Sequence, residues 1–301
     1  MPNETRREFL RSSCAASAAW LVSGTSSAIE PIQRNSKTPL KISIAAYSYR
    51  KYLNLQQKPK PAMDLDDFIE LAAEHGFDAV EPTAYYFAKT SPEYLAHLKA
   101  KCTRLGLDIS GSAVGNNFCH RDTDRLQQQV QYVKNWIEHC ARLGGKTLRI
   151  FAGSVPKGDT ASAAIKRCIA AIEEACDYAA KFGVILALEN HGGVTSTAEQ
   201  MLRIVKGVKH DFFGVNLDSG NFHSADPYAE LEQIAPYAVS VQLKTEIQRA
   251  GKKKEPADLP RLIKMLRGVG YRGYVVLEYE AAEEPKEAVP RHLATLRKLI
   301  N

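Results

Sequence analysis

Three carboxylates in this sequence directly follow hydrophobic runs, and together they could support acid–base or metal chemistry. Glu189 follows V-I-L-A-L, Asp218 follows F-G-V-N-L, and Glu278 follows Y-V-V-L. Such runs are typical of strands buried on both faces of a parallel sheet. Burying three like charges in one cavity costs several kcal/mol each unless positive charge compensates them. A divalent metal ion with oxygen ligands is one compensation, and salt bridges to Arg149, Lys244 and nearby histidines are the other.

Other polar residues come at the ends of predicted strands, where they could join the three carboxylates. Side chains at the carboxyl ends of barrel strands converge on one cavity, so we expect these residues to line the same site. They are Glu81, Arg149, His191, His223, Gln242 and Lys244.

Strand-like and helix-like segments alternate along residues 40–301. Strands are predicted at 42–49, 77–83, 107–114, 147–152, from 184, and at 213–217, 239–244 and 274–279. Helices are predicted at 65–75, 92–105, 123–143, 161–182, 197–205, 228–234, 259–267 and 286–300. Strict alternation implies a parallel sheet, and eight repeats of this length predict an α/β fold of the closed (β/α)₈ TIM barrel type.

A doubly wound open sheet is the alternative fold. That fold usually carries a glycine-rich fingerprint after its first strand, whereas Y-S-Y-R-K-Y follows here. The sequence therefore predicts one barrel domain over 40–301. The long loop 50–63 would lie on the active face, as a lid or as a simple insertion.

The N-terminus has the organisation of an export signal. R-R-E-F-L at 6–10 precedes a weakly apolar run at 14–22 and small residues up to 28. This order predicts a twin-arginine signal over 1–28, a flexible leader over 29–39, and a periplasmic or other extracytoplasmic location. Five cysteines remain after signal removal, so at least one thiol is free, and the absence of zinc-site spacing argues against structural zinc.

Composition excludes several classes of partner. The 301 residues are 45% hydrophobic and 25% charged, with a net charge of +6 spread along the chain. The single dense basic run, at 252–254, is explained by a solvated loop. We therefore expect neither nucleic-acid binding nor membrane association after signal removal, and homo-oligomerisation is left open.

The order and spacing of these motifs resemble the xylose isomerase-like barrel superfamily of sugar phosphate isomerases and epimerases. The match rests on L-E-N-H-G-G, L-D-S-G-N, V-Q-L-K-T-E and L-E-Y-E, and it spans 40–300. The resemblance implies one divalent ion held by Glu189, Asp218, Glu278 and the residue at 242. The family usually has histidine at that fourth position, and this chain has Gln242. An amide oxygen suits Mn²⁺ or Mg²⁺, with Co²⁺ or Zn²⁺ as further options.

The resemblance also implies a reaction on a small carbohydrate. Glu189 and Glu278 would be the acid–base pair of a sugar or polyol isomerase or epimerase that works through an enediolate. The substrate-binding residues would be His191, His223, Lys244, Arg149 and Glu81. Two alternatives stay open: a lyase or dehydratase acting on a keto-sugar, inositol derivative or keto-glycoside with the same site, and a non-catalytic sugar-binding barrel. Export would favour an unphosphorylated substrate.

Overall fold

The computed structural model describes residues 29–34, 39–56 and 60–300. The predicted export signal lies outside the described residues. Within the predicted leader, Ile32 N donates to Pro236 O at 3.0 Å and Arg34 Nη2 donates to Ala238 O at 2.8 Å. No helix of the described ranges is long and apolar enough to cross a membrane.

One parallel sheet forms the centre of the molecule. In chain order, its strands within the described residues are β1 Lys41–Ala45, β2 Ala79–Glu81, β3 Asp108–Ile109, β4 Gly111–Ala113, β5 Thr147–Ile150, β6 Ile185–Glu189, β7 Phe213–Asp218, β8 Ala238–Leu243 and β11 Tyr274–Leu277. The two strands β9 Glu246–Gln248 and β10 Lys254–Pro256 form a separate antiparallel hairpin after β8.

The sheet closes into a ring. Its order is β3-β2-β1-β11-β8-β7-β6-β5-β4, and only Ser110 separates β3 from β4. The segment from β3 to β4 therefore fills one strand position of the barrel, called a stave here. It pairs with β2 on one side and β5 on the other. Eight staves result, which confirms the predicted (β/α)₈ barrel.

Helices surround the ring. They are α1 Arg50–Leu53, α2 Leu65–His75, α3 Pro92–Arg104, α4 Thr123–Leu143, α5 Ala161–Ala180, α6 Ala198–Val205, α7 Pro227–Ile234, α8 Leu259–Gly268 and α9 Pro285–Ile300. Each helix from α2 to α8 begins after a Ser, Thr or Asp whose side chain accepts a hydrogen bond from the first turn. These caps satisfy backbone donors that would otherwise lack partners, so the helix starts are encoded locally.

Two local features differ from the sequence prediction. The first strand ends at Ala45 instead of residue 49, and a 3₁₀ turn at Ala46–Tyr49 leads into α1. Arg50 explains this bend, because its guanidinium donates to the carbonyl oxygens of Tyr279 at 3.0 Å and Glu280 at 3.3 Å and ties the chain across the barrel mouth. The β9–β10 hairpin was not predicted. The five described cysteines are buried free thiols.

Candidate active site

Glu189, the last residue of β6, is buried among nitrogen donors. Arg149 Nε lies 2.9 Å from its Oε2, Asn221 Nδ2 donates to Oε1 at 3.0 Å, and Asn216 Nδ2 donates to Oε2 at 3.3 Å. Burial raises the pKa of Glu189 well above its ordinary value, although the charge of Arg149 opposes this effect. Burial thus favours the neutral form of Glu189, and the three nitrogen donors favour its carboxylate.

Arg149, in β5, is fixed in the barrel interior by three contacts. Besides Glu189, its Nη1 donates to Val114 O at 2.7 Å, and its guanidinium lies over the Phe151 ring at 4.1 Å from the centroid. The side chain is 5% exposed. Its position next to Glu189 is thus held by Val114, which follows β4, and by Phe151, which follows β5 itself.

Lys244 lies directly after β8 and brings an ammonium group into a cluster of carboxylates. Its Nζ forms a close ion pair with Glu278, and lies 2.9 Å from Glu280 Oε1 and 3.3 Å from Asp218 Oδ2. Burial would lower the pKa of Lys244, but the charges of Asp218, Glu278 and Glu280 raise it well above its ordinary value. The group therefore stays charged across the physiological range.

Asp218, at the end of β7, is fully buried and tied to the end of β6. Its Oδ1 accepts from Gly220 N at 2.8 Å. The side chain of Asn190 accepts from Asp218 N at 2.9 Å and donates to Asp218 O at 2.9 Å, which joins the two strand ends. Burial raises the pKa of Asp218 to about 7, although Lys244 lowers it in part.

Gln242 and Glu81 form a buried pair across the barrel. Gln242 Nε2 donates to Glu81 Oε1 at 2.8 Å, and Gln242 Oε1 accepts from Asn216 Nδ2 at 3.0 Å. Burial raises the pKa of Glu81 to about 7, and the charge of Glu278 adds to the shift. Both polar ends of the glutamine side chain are thus engaged by protein groups.

The two predicted histidines lie at the rim and not among the carboxylates. Both are exposed. The His191 ring is tilted by 34° to the Phe151 ring, with the two centroids 4.2 Å apart, and His223 Nδ1 lies 3.3 Å from Gln248 O. Two cavities, of about 220 Å³ and about 550 Å³, both reach His223 and Asn221. The smaller cavity extends inward to Lys244, and the larger one extends outward past His191.

A family model, described as the xylose isomerase-like TIM barrel, matches residues 69–299 of the chain. The chain belongs to the xylose isomerase-like TIM barrel family. No curated protein matches it.

Solved structures share this xylose isomerase-like barrel at low sequence identity. D-psicose 3-epimerase from Clostridium cellulolyticum H10 superposes with a TM-score of 0.71 at 17% identity, covering 87% of this chain and 100% of that one. The 3-keto-D-glucoside 4-epimerase YcjR from E. coli gives 0.65 at 19% identity, with 86% and 99% covered. The IOLI protein, solved with a bound zinc atom, gives 0.68 at 23% identity, with 87% and 98% covered. At these identities the similarity establishes the fold.

Most of the predicted site residues come together in this xylose isomerase-like barrel. Seven of them are buried and form two groups of side-chain contacts, to which the two histidines do not belong. The first group contains Glu81, Gln242, Glu189 and Arg149, with Asn216 between Gln242 and Glu189, and the second contains Asp218, Lys244 and Glu278. The contacts of Asn216 were missed. A signal for it existed, since Asn216 precedes Asp218 by two residues and alternate residues of a strand lie on the same face. The same spacing relates Gln242 to Lys244.

The four residues predicted to hold a metal ion all lie beside protein donors, although Asp218 Oδ2, 3.3 Å from Lys244 Nζ, is buried without a hydrogen-bond partner. Within the ranges that the structure describes, no three or more His, Cys, Asp or Glu residues form a group that could hold a metal. Glu189 is paired with Arg149, and Lys244 lies between Asp218 and Glu278. In this arrangement the set does not fit a divalent ion. The ligand set stays a prediction.

Proposed function

We propose that this protein is an isomerase or epimerase of a sugar or sugar-like polyol that moves a proton beside a carbonyl group. The observation that carries the proposal is that two buried glutamates, Glu189 and Glu278, lie at strand ends of one barrel, each beside a buried cation. Arg149 Nε lies 2.9 Å from Glu189 Oε2, and Lys244 Nζ forms a close ion pair with Glu278. Two carboxyl groups beside fixed positive charges are suited to exchange a proton with a substrate while the cations stabilise negative charge on it.

The two glutamates come from different strands, so the proposal places them on opposite sides of a bound substrate. Glu189 ends β6 and Glu278 follows β11, three staves away in a ring of eight. The Glu278 carboxylate would remove the proton on the carbon beside the carbonyl, which leaves an enediolate. Glu189 would return a proton from the other side, and Lys244 and Arg149 would stabilise the negative charge that develops on oxygen.

The smaller cavity favours a neutral polyol over an anion. Its charged lining residues are two lysines and two glutamates, Lys244, Lys254, Glu246 and Glu280, so their formal charges cancel. An unphosphorylated sugar can hydrogen-bond to such a mixed surface without leaving a net charge uncompensated. The export signal predicted from the sequence is consistent with this choice, because sugar phosphates are cytosolic.

A lyase acting on a keto-glycoside is the second candidate. The same proton removal, followed by loss of a group on the next carbon, would need room for a leaving group. The cavity of about 550 Å³ offers that room next to the smaller one, with His223 at the junction of the two. A proton from the exposed His223 imidazole to the departing oxygen would complete the elimination.

Proton exchange in heavy water tests both candidates. The protein is incubated in D₂O with a panel of free ketoses, aldoses and keto-glycosides, with and without EDTA, and products are read by NMR. Deuterium in a product isomeric with the substrate supports the isomerase, and loss of water or an aglycone supports the lyase. Glu189→Gln and Glu278→Gln should each slow exchange by about 10²–10⁴-fold. The control Glu287→Gln, on the exposed surface of α9, should leave it unchanged. Absence of turnover with the whole panel would favour a non-catalytic sugar-binding barrel.

A further inference from the structure

The ammonium group of Lys244 occupies the space between two carboxylates that were predicted to bind a metal ion. It forms a close ion pair with Glu278 and lies 3.3 Å from Asp218 Oδ2. A third carboxylate, Glu280, lies 2.9 Å away. The lysine side chain is only 8% exposed, so these three carboxylates replace the water that would otherwise solvate its ammonium group.

The other two predicted metal ligands, Glu189 and Gln242, also contact donors of the protein. Arg149 Nε lies 2.9 Å from Glu189 Oε2, and Asn216 Nδ2 donates to both Glu189 and Gln242. The amide nitrogen of Gln242 faces Glu81. Turning that amide to offer its oxygen elsewhere would place oxygen against the Glu81 carboxylate and break the bond from Asn216.

A divalent ion would have to displace Lys244 before it could bind here. A divalent ion about 3 Å from the ammonium would be strongly repelled by it, even at an effective dielectric constant of about 20. Asp218 and Glu278 cannot serve both cations at full strength. The lysine and the metal ion are therefore competitors for the same carboxylates.

We infer that Lys244, supported by Arg149, supplies the positive charge of this site in place of a divalent metal ion. The inference rests on the proposed proton-transfer function and specifies its electrophile. Lys244 lines the smaller cavity together with Glu280, whose side chain is 32% exposed. A substrate carbonyl oxygen in that cavity would share the Nζ hydrogens with Glu280. As Glu278 removes the carbon-bound proton, the C–H electron pair moves into the carbonyl, and the Nζ–H groups stabilise the resulting oxyanion without giving up a proton.

Manganese binding provides a test that does not depend on finding the substrate. Full-length protein is treated with EDTA, dialysed and titrated with Mn²⁺, with binding followed by calorimetry and by the EPR signal of free Mn²⁺. Wild type should bind Mn²⁺ with a dissociation constant weaker than about 1 mM. The double variant Lys244→Met/Gln242→His should bind at least about 100-fold more tightly, because it loses the competing charge and gains an imidazole ligand. Lys244→Arg keeps the charge and should bind as weakly as wild type.

Two controls separate folding and surface effects from the site. Circular dichroism melts show whether each variant is folded, and Lys264→Met removes an exposed lysine on α8 without touching the cluster. This control should bind Mn²⁺ like wild type. If the double variant does not fold, Lys244→Met alone carries the test, with an expected gain of about 10-fold or more.

Mn²⁺ binding tests the role of Lys244, and sugar turnover separately tests the isomerase activity. Tight, stoichiometric Mn²⁺ binding by wild type overturns the inference, as does a folded Lys244-to-Met variant with no gain in affinity. Deuterium exchange that persists in EDTA and falls by about 10²-fold or more in Lys244→Met supports it. If wild type binds Mn²⁺ weakly and the variants bind it more tightly, but no sugar is turned over, Lys244 remains the cation of the site. That result refutes only the isomerase proposal.

Discussion

Replacing Glu81 by glutamine tests whether burial raises the pKa of this carboxyl group and so keeps it partly protonated near neutral pH. Glu81 is 1% exposed. Burial, with the charge of Glu278, raises its pKa from 4.5 to about 7. A glutamine can accept the same hydrogen bond from Gln242 Nε2, so the substitution removes the charge and keeps the contact.

The sign and size of the effect follow from proton linkage. Between pH 4.5 and 7 the folded state binds more protons at Glu81 than the unfolded state does, so the free energy of unfolding falls as pH rises through this window. At 1.36 kcal/mol for each pH unit, the loss at pH 8 is about 3 kcal/mol. Because glutamine does not titrate, Glu81→Gln should stabilise the protein by about 3 kcal/mol at pH 8 and by less than about 1 kcal/mol at pH 5.

Urea unfolding measures this difference. Wild type, Glu81→Gln and the control Glu74→Gln, an exposed residue of α2, are unfolded at pH 5, 6, 7 and 8 and followed by circular dichroism. The control should stay within about 0.5 kcal/mol of wild type at every pH. A Glu81-to-Gln effect of the same size at pH 5 and pH 8 would show that the carboxyl keeps an ordinary pKa and that burial does not raise it.

Three further predictions concern stability. Arg149→Met should cost about 3–5 kcal/mol in urea unfolding, because it leaves the Glu189 carboxyl buried without its ion-pair partner, and adding Glu189→Gln should recover part of that loss. Asp64→Ala removes the hydrogen bond that the Asp64 side chain accepts from Asp67 N at the start of α2 and should lower the stability by about 1 kcal/mol, measured as a drop in Tm of about 2–4 °C. Gly193→Ala should lower Tm more than Gly192→Ala: both glycines have positive φ, but a Cβ at 193 would lie 2.2 Å from a backbone carbonyl oxygen, whereas at 192 it meets open space. Equal losses for the two glycine variants would contradict the steric argument.

The fold was predictable because its signals are local. Continuous apolar runs mark the buried strands, and Asp64 and Thr160 mark helix starts through hydrogen bonds to residues three positions later. Eight such units leave little choice of architecture, since parallel strands need a helix at each crossover. The β9–β10 hairpin had no comparable signal, because its two strands have three residues each and pair only with one another.

The members of the site were predictable in the same way, as polar residues that end buried strands. Glu189, Asp218 and Glu278 interrupt hydrophobic runs where a polar residue is costly unless it has partners. His191 and His223, which lie next to these motifs in sequence, are residue types equally suited to a catalytic site. They lie at the rim because the chain has already left the strand there and turned outward, which residue type and spacing do not indicate.

What the sequence by itself determined was which residues stand at the mouth of the barrel; the tertiary structure decided which of them meet. Between β7 and β8 the register shifts by one residue near Val215, and this shift brings Asp218 opposite Gln242 and directs Lys244 toward Asp218. No local pattern encodes that register, because it depends on how two strands 20 or more residues apart pack against their neighbours. From sequence, three carboxylates called for positive charge, supplied by a metal ion or by Arg149 and Lys244. The fold places both of these side chains against the carboxylates, a contact between distant residues that only the tertiary structure decides.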